Sequence, residues 1–406
     1  MTTKTPSLVI GGTNWASKEA KLLGYYQDDN EFFNAVEGDF SRASSKTVVN
    51  RDKIIEVLGV DVASIDFQEN IDGALKLETQ STNLIYYSED FSQSSWNLAG
   101  VVLTSNYSTS PNGTLNATRV TGSSSISLLQ MFVYLENQSE TLTLSFYAKG
   151  TGKFRMKNTH GGVVDNFSSN YDATSDWERY SYTITNNSSA SGVQIVGLVG
   201  NTMGTAYDLS IWGMQLEIGS VPTSIIPTNG SAVTRVQDLA SNFGNVNTFN
   251  SEEGVLFVEM AALSDDGTYR QLTISGAGNN EINILFNSNG TIGGVVRVAG
   301  AYVVNISGTV SDVLAFNKIA FKYKENDFAL WINGVKVATD FIGSVPNTAT
   351  ELMFNHPVGL NYLYAKVKQV QVYKEALTDS ELEYLTTYGS YTDLANSNNY
   401  NLILDI

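Results

Sequence analysis

The stretch WGMQLEIGSVPTSIIPTNG, from Trp212 to Gly230, decides the fold of the middle of the chain. Its first half alternates large apolar residues with small or polar ones, with the period of two that a β-strand requires. Gly219 and the serine after it end this alternation, and Pro222 and Pro227 keep the following tail extended and non-helical. The stretch therefore predicts the last strand of a sheet domain, followed by a stiff exit into another part of the chain.

Similar short runs fill the chain on both sides of this stretch. Alternating segments such as TLTLSFYAKG (residues 141–150) and ERYSYTITNN (178–187) are separated by turns of Gly, Asn and Ser. Many short strands at that spacing predict an antiparallel sandwich or jelly roll. A second series of strands begins at EGVLFVEMAAL (253–263) and predicts another sandwich after it. The fold class is therefore predicted to be all-β, with tandem antiparallel β-sandwiches.

Local signals mark two hairpins and one helix. The tetrapeptide NRDK (residues 50–53) lies between two β-branched runs and predicts a hairpin. Asn333 and Gly334 form the pair that a type I′ turn requires. Thr378 and Glu381 have the spacing of a capping box, which predicts a helix near the end of the chain.

The first 80 residues lack a strand series long enough for a sandwich. NWASKEAKLLGYY (residues 14–26) predicts a short helix from its apolar spacing. Apolar residues of this region are expected to need other surfaces to cover them: Leu8, Val9, Ile10, Trp15, Leu22, Leu23, Phe32 and Phe33. The predicted parts are an attachment segment over 1–80, a jelly roll over 81–237 and a second sandwich over 238–406.

The net charge of −17 and the absence of cysteine limit the classes of function. No segment carries the basic stripe that phosphate binding needs, so a nucleic-acid partner is excluded. No run of about 18 apolar residues predicts a membrane span. The first apolar run, Leu8–Ile10, is too short for the core of a signal peptide, which predicts synthesis in the cytoplasm without export.

Three segments resemble the jelly-roll, carbohydrate-binding-module-like domain of bacteriophage tail and fibre proteins. They are TNLIYYSEDFSQSSW (residues 82–96), TSDWERYSYTIT (174–185) and IWGMQLEIGSVPTSIIPTNGSAVTR (211–235). The preceding residues 38–67 resemble a small β element that comes before that domain in phage virion proteins. The resemblance implies that the stretch quoted first is the closing strand and exit of this module.

The C-terminal region is similar to the laminin-G-like, concanavalin-A-like sandwich. The similarity lies in VLFVEM (residues 255–260), FALWINGVKVAT (328–339) and YAKVKQVQVYKEALTDSELEYLTT (364–387). Together the resemblances imply a phage virion appendage, or fibre, protein that is located in the virion and binds host-surface or mucus glycans. They also imply attachment to other virion proteins through the N-terminal segment, and a homotrimer.

Aromatic rings and amides are the side chains expected to bind a sugar, through its C–H faces and its hydroxyls. On the first sandwich, LLQMFVYLEN (residues 128–137) and KFRMKNTH (153–160) place such side chains at alternate positions. The candidate glycan-binding residues are Gln130, Phe132, Tyr134, Phe154 and Asn158. Burial of the same residues in a core is the competing interpretation.

No cofactor is required by any motif, but a structural calcium ion is a candidate. Jelly rolls of this kind can hold calcium near their first and last strands, through carboxylate oxygens. The carboxylates available there are Glu89, Asp90 and Glu217. Solvated acids at loop ends are the alternative interpretation.

Catalysis finds little support in the sequence, which predicts a protein that is not an enzyme. His160 and His356 stand in turn-like contexts, where we expect surface loop residues. No nucleophile elbow, phosphate-binding loop or catalytic cysteine is present. Two alternatives stay open: a purely structural capsid-decoration or baseplate protein, and a polysaccharide-degrading enzyme, which needs only two carboxylates.

Overall fold

A computed structural model describes residues 4–12, 15–18, 20–27, 33–135, 140–160, 166–186 and 192–388. Its first strands are β1 Leu8–Gly11, β2 Ala16–Lys18, β3 Lys21–Gln27, β4 Phe33–Ser41, β5 Lys46–Val49, β6 Ile55–Leu58, β7 Ile65–Asp66, β8 Ala74–Lys76, β9 Ser81–Asn83, β10 Trp96–Ala99, β11 Val101–Ser108, β12 Ala117–Gly122, β13 Leu128–Tyr134, β14 Thr141–Thr151, β15 Lys153–His160 and β16 Tyr171–Asp172.

The remaining elements are β17 Glu178–Thr185, β18 Val193–Gly200, β19 Tyr207–Ile218, β20 Val233–Arg235, β21 Leu239–Ser241, β22 Glu253–Ala262, β23 Arg270–Gly276, β24 Asn280–Phe286, β25 Thr291–Val298, β26 Ala301–Thr309, β27 Asn317–Lys324, β28 Phe328–Ile332, β29 Val335–Asp340, β30 Glu351–Met353, β31 Ala365–Tyr373 and the helix α1 Asp379–Tyr388. All regular elements of the described residues except one short helix are therefore β-strands, which confirms the predicted all-β fold class.

The chain divides into two compact units that are not consecutive in sequence. The terminal unit comprises residues 1–43, 60–79 and 238–406, and the inserted unit comprises 44–59 and 80–237. This division differs from the three consecutive parts predicted above. The reason is strand pairing, because β1 and β8 pair with β31 and β4 pairs with β21, and both partners come much later in the chain.

Two antiparallel sheets form the terminal unit. The larger sheet contains 12 strands, with a main order β21-β4-β3-β1-β31-β22-β27-β28-β29, and the smaller has the order β26-β25-β24-β23-β30. Alternate residues of both sheets meet in one core, which includes Val258, Phe321, Ile284 and Val370. The period of two in these strands therefore buries one face of each sheet against the other.

The N-terminal region is built into this core as strands. Residues 16–18 and 21–27 form β2 and β3, so the predicted N-terminal helix is wrong. The β1 strand pairs with β3 on one side and β31 on the other, and these neighbours override the local helical spacing.

Four of the apolar residues that were expected to need outside cover are buried by this chain itself. They are Leu8, Val9, Ile10 and Leu22. These four residues therefore need no second copy of the chain to cover them. Trp15 and Leu23 are half-buried, whereas Phe32 and the side chain of Phe33 lie outside the described residues.

The inserted unit is a sandwich of two five-stranded antiparallel sheets. Their orders are β10-β13-β18-β15-β16 and β11-β12-β19-β14-β17. The main core between them includes Met131, Leu144, Phe154 and Leu209. A hairpin of β5 and β6 contributes Ile55 to a separate small cluster, in which Trp212 is 1% exposed. Trp212, the first residue of the stretch quoted above, is thus a buried packing residue.

The local turn and cap predictions are also confirmed. Asn333 and Gly334 have φ of 49° and 83°, as a type I′ turn requires. The Thr378 backbone N–H donates to Glu381 Oε2 at 2.8 Å, and α1 begins at the next residue. Within the described residues, no helix combines the length and the apolar character needed to cross a membrane.

Candidate functional site

Three of the candidate sugar-binding residues lie on β13 of the inserted unit. Gln130, Phe132 and Tyr134 occupy alternate positions, so they share one face of their sheet. Met131 and Val133, which lie between them, are buried in the main core. The face of β13 that carries Gln130, Phe132 and Tyr134 is therefore the outer face of the sheet.

The two aromatic side chains on this face are open to solvent. Phe132 is 46% exposed and Tyr134 is 69% exposed. On the neighbouring strand β18, Ile195 lies opposite Phe132 and Val193 lies opposite Tyr134, and both are half-buried. The backbone positions of Phe132 and Tyr134 are about 6.6 Å apart along the strand, and their side chains border an apolar strip.

Gln130 continues the aromatic row with a polar group. It lies opposite Gly197, which offers no side chain. Among the residues that the structure describes, no donor reaches the buried Oε1 atom of Gln130. Because this Oε1 atom is buried, the exposed rings of Phe132 and Tyr134 are the part of this face that a sugar C–H face could contact.

Cationic side chains flank this surface on the next strand, β15. Lys157 lies opposite Gly197 and Thr159 lies opposite Ile195. Arg155 and Lys157 approach the ring of Phe167, at 4.5 Å and 5.7 Å from its centroid. The alternation of KFRMKNTH predicts that the two cations share one face, although neither is among the candidate glycan-binding residues. We call the outer side chains of β13, β18 and β15 the platform.

Phe154 and Asn158 do not belong to the platform, because both side chains are fully buried. The Phe154 ring packs against Tyr180 at 5.0 Å between centroids. The Asn158 amide donates to the Leu142 carbonyl at 3.1 Å and accepts from Gln194 Nε2 at 2.6 Å. These two candidates are therefore corrected: their face of β15 is the one turned toward the opposite sheet.

The candidate calcium ligands are engaged with protein donors. Glu217 is fully buried, and its carboxylate accepts hydrogen bonds from the Ser81 hydroxyl at 2.6 Å and the Thr223 backbone N–H at 3.0 Å. Asn116 donates to Glu89 at 3.0 Å, and burial raises the pKa of Glu89.

The third candidate calcium ligand, Asp90, accepts hydrogen bonds from Gln93 and Ser92, which lower its pKa. Over the part of the chain that the structure describes, no three His, Cys, Asp or Glu side chains are grouped to hold a metal ion.

The two histidines differ from the expected surface loop residues. His160 is the last residue of β15 and is 2% exposed. His356 belongs to the terminal unit, where its Nε2 atom lies 3.3 Å from Glu281 Oε1 and 2.9 Å from Arg297 Nη1. Tertiary contacts, which local turn signals do not report, bury His160 and partly bury His356.

Comparison with solved structures gives only distant likenesses. The tandem CBM22 domains of Paenibacillus barcinonensis Xyn10C share 10% identity, over 73% of this chain and 98% of theirs, with a TM-score of 0.27. Domains LG4-5 of the mouse laminin α1 chain share 11% identity, over 61% and 85%, with a TM-score of 0.24. A Trypanosoma rangeli sialidase shares 9% identity, over 96% and 63%, with a TM-score of 0.30. These scores are too low to support an argument about function.

No curated protein matches the chain. A family model matches part of the terminal unit. The matched part runs from β22 to the start of α1. Residues 253–383 match the model described as the Concanavalin A-like lectin/glucanases superfamily, and this part of the chain is a concanavalin A-like domain.

Proposed function

We propose that this protein is a non-enzymatic phage virion appendage protein, a fibre, that binds host-surface or mucus glycans. The platform is the observation that carries the binding proposal. Phe132 and Tyr134 are large aromatic residues that remain exposed on a sheet whose other face is a packed core. Gln130 adds a polar group in line with them. Weak contacts of this kind gain avidity when many copies are displayed on one particle.

The virion location, the attachment through the N-terminal region and the homotrimer belong to the same proposal. Their support is the resemblance of residues 82–96, 174–185 and 211–235 to phage fibre proteins. The mass of the full chain in solution tests the trimer. A truncation that lacks residues 1–80 is unsuitable for this purpose, because it removes strands from the terminal unit.

Glycan-array binding of the full chain tests the platform. The double variant Phe132→Ala/Tyr134→Ala should lose at least tenfold in affinity, because both stacking surfaces are removed. Tyr107→Ala is the matched control, since Tyr107 is also an exposed tyrosine, on β11 in the opposite sheet. Equal binding by the double variant and the control would refute the platform.

Two alternative functions predict different results in binding and activity assays. A purely structural protein would bind no glycan on the array and would bind only other virion proteins. A polysaccharide-degrading enzyme would release reducing ends from host polysaccharide. Release of reducing ends by the purified chain would overturn the non-enzymatic proposal.

A further inference from the structure

The chain passes between the two units four times. It leaves the terminal unit after residue 43, returns at 60, leaves again after 79 and returns at 238. Residues 44–59 are therefore a first insertion into the terminal unit, and residues 80–237 are a second. Unless the ends of both insertions are held within the terminal unit, loss of structure in the inserted unit would spread into the strands that adjoin them.

Two strands of the terminal unit run directly up to these points. β4 ends one residue before Arg42, and β21 begins one residue after Asp238. In the ladder of these two strands Ser41 lies opposite Leu239, so the same register places Arg42 opposite Asp238. The two charged residues are 196 positions apart in the chain, yet they continue one ladder.

Hydrogen bonds join the two ends of each insertion. At the first insertion, Arg42 N donates to Asp61 Oδ1 at 2.8 Å, and Asp61 N donates to the Arg42 carbonyl at 3.1 Å. At the second, Glu78 N donates to Asp238 Oδ2 at 2.8 Å, and Asp238 N donates to the Glu78 carbonyl at 3.0 Å. All four residues belong to the terminal unit. Each insertion thus leaves and returns at neighbouring backbone positions.

A buried ion pair then connects the ends of one insertion to the ends of the other. Arg42 Nη1 lies 3.0 Å from Asp238 Oδ1 and also donates to the Ser64 hydroxyl at 2.8 Å. Both charged side chains are fully buried. A buried ion pair adds little net stability compared with apolar side chains of similar volume, because desolvation of the charges offsets their attraction. We call the connected residues the lock: Asp61, Arg42, Asp238 and Glu78.

We infer that the lock insulates the terminal unit from unfolding of the inserted unit. When the inserted unit opens, its two segments become loops whose ends stay fixed by the lock, so β4 and β21 keep their pairing. The cost of closing a flexible loop grows only slowly with its length, so even residues 80–237 can be held in this way. The inserted unit can therefore open alone, while the terminal sandwich stays folded.

Calorimetric unfolding of the full chain tests the insulation. Trp212→Ala removes a buried ring of the inserted unit and should lower the transition of that unit by at least about 5 °C. Leu8→Ala identifies the transition of the terminal unit, because Leu8 is buried in its core. With the lock intact, Trp212→Ala should leave that second transition unchanged. A single transition for the whole chain, or a shift of both transitions by Trp212→Ala, would overturn the inference.

Removal of the lock should give the converse result. Arg42→Met/Asp238→Leu replaces the ion pair with apolar side chains, so it leaves no unpaired charge in the interior. In this background Trp212→Ala should lower both transitions, because the ends of the insertions are no longer held. Lys336→Met/Asp379→Leu is the matched control, since it removes a partly exposed ion pair of the same unit. In the control background Trp212→Ala should lower only the transition of the inserted unit.

The same measurement decides against the lock if the two backgrounds behave alike. A shift of the inserted unit alone in the Arg42→Met/Asp238→Leu background would mean that the ion pair does not insulate the terminal unit. If that variant does not fold, Arg42→Gln/Asp238→Asn removes both charges and keeps polar side chains in their place. The expected and the contrary results for this second variant are the same.

Discussion

Leu8 and Val372 lie opposite each other in the neighbouring antiparallel strands β1 and β31. Both side chains are fully buried in the core of the terminal unit. One residue comes from the beginning of the chain and the other from near its end, so the sandwich is closed by strands that the sequence separates widely. The N-terminal region is thus a structural part of this unit.

This pairing predicts that Leu8 contributes to the stability of the terminal unit. Leu8→Ala should lower the free energy of unfolding by about 2–5 kcal/mol, because it leaves a cavity in a packed core. Urea unfolding measures the effect. Ile342→Ala, at a side chain that is 80% exposed in the same unit, should change the stability little. Equal stabilities of the two variants would show that β1 is not packed as described.

The turn between β28 and β29 predicts a second effect on stability. Gly334 has a φ of 83°, and an added Cβ would lie 2.5 Å from Thr387 Oγ1. Gly334→Val should therefore lower the free energy of unfolding by about 1–3 kcal/mol, since a β-branched residue resists that backbone conformation. Thermal melting measures this change. Val335→Ala, at the exposed neighbour, serves as the control, and an unchanged melting temperature for Gly334→Val would contradict the turn.

Substitution of Trp212 distinguishes a role of its ring in packing from a role in sugar binding. Because Trp212 packs with Ile55, Ala117 and Ile225, Trp212→Ala should lower the free energy of unfolding by about 3–5 kcal/mol. Leu115→Ala, at an exposed residue of the same unit, should be nearly neutral. Melting and glycan binding are measured on the same samples. A stable Trp212→Ala protein that no longer binds glycan would mean that the ring is a ligand contact.

The lowered pKa of Asp266 predicts that the folded protein loses stability in acid. Burial alone would raise its pKa, but hydrogen bonds from Ser264, Arg270 and Thr268 outweigh burial and lower the pKa to about 2. A carboxyl whose pKa is lower in the folded state stabilises the fold above its unfolded pKa of 3.8. That stabilisation is then lost as the pH falls from about 4 to about 2.

Asp266→Asn tests this pH dependence. The variant should be about 1 kcal/mol less stable than the parent at neutral pH, after allowance for solvent screening at a partly exposed side chain. The difference should shrink as the pH falls from about 4 toward 2, as the parent carboxyl becomes protonated. Asp265→Asn, at the exposed neighbour, is the control. A difference that is the same at every pH would argue against a charged Asp266 as the cause.

The platform was predictable in part. Alternation along LLQMFVYLEN placed Gln130, Phe132 and Tyr134 on one face, and the structure leaves that face outermost. The same alternation along KFRMKNTH does not show which face of β15 is buried, so it predicts Phe154 and Asn158 as sugar contacts although both side chains lie inside. An aromatic residue at a strand position suits a core and a binding surface equally, because both uses remove apolar surface from water.

The sequence by itself determined the all-β class, the Asn333–Gly334 turn and the Thr378–Glu381 cap. Each of these depends on the period of a strand or on residues a few positions apart, which interact before any distant part of the chain arrives. Tertiary structure alone decided that β1 pairs with β31 and that Glu281 meets His356. Backbone hydrogen bonds between strands are alike for almost any sequence, so partners are selected by the faces that the whole sheet buries.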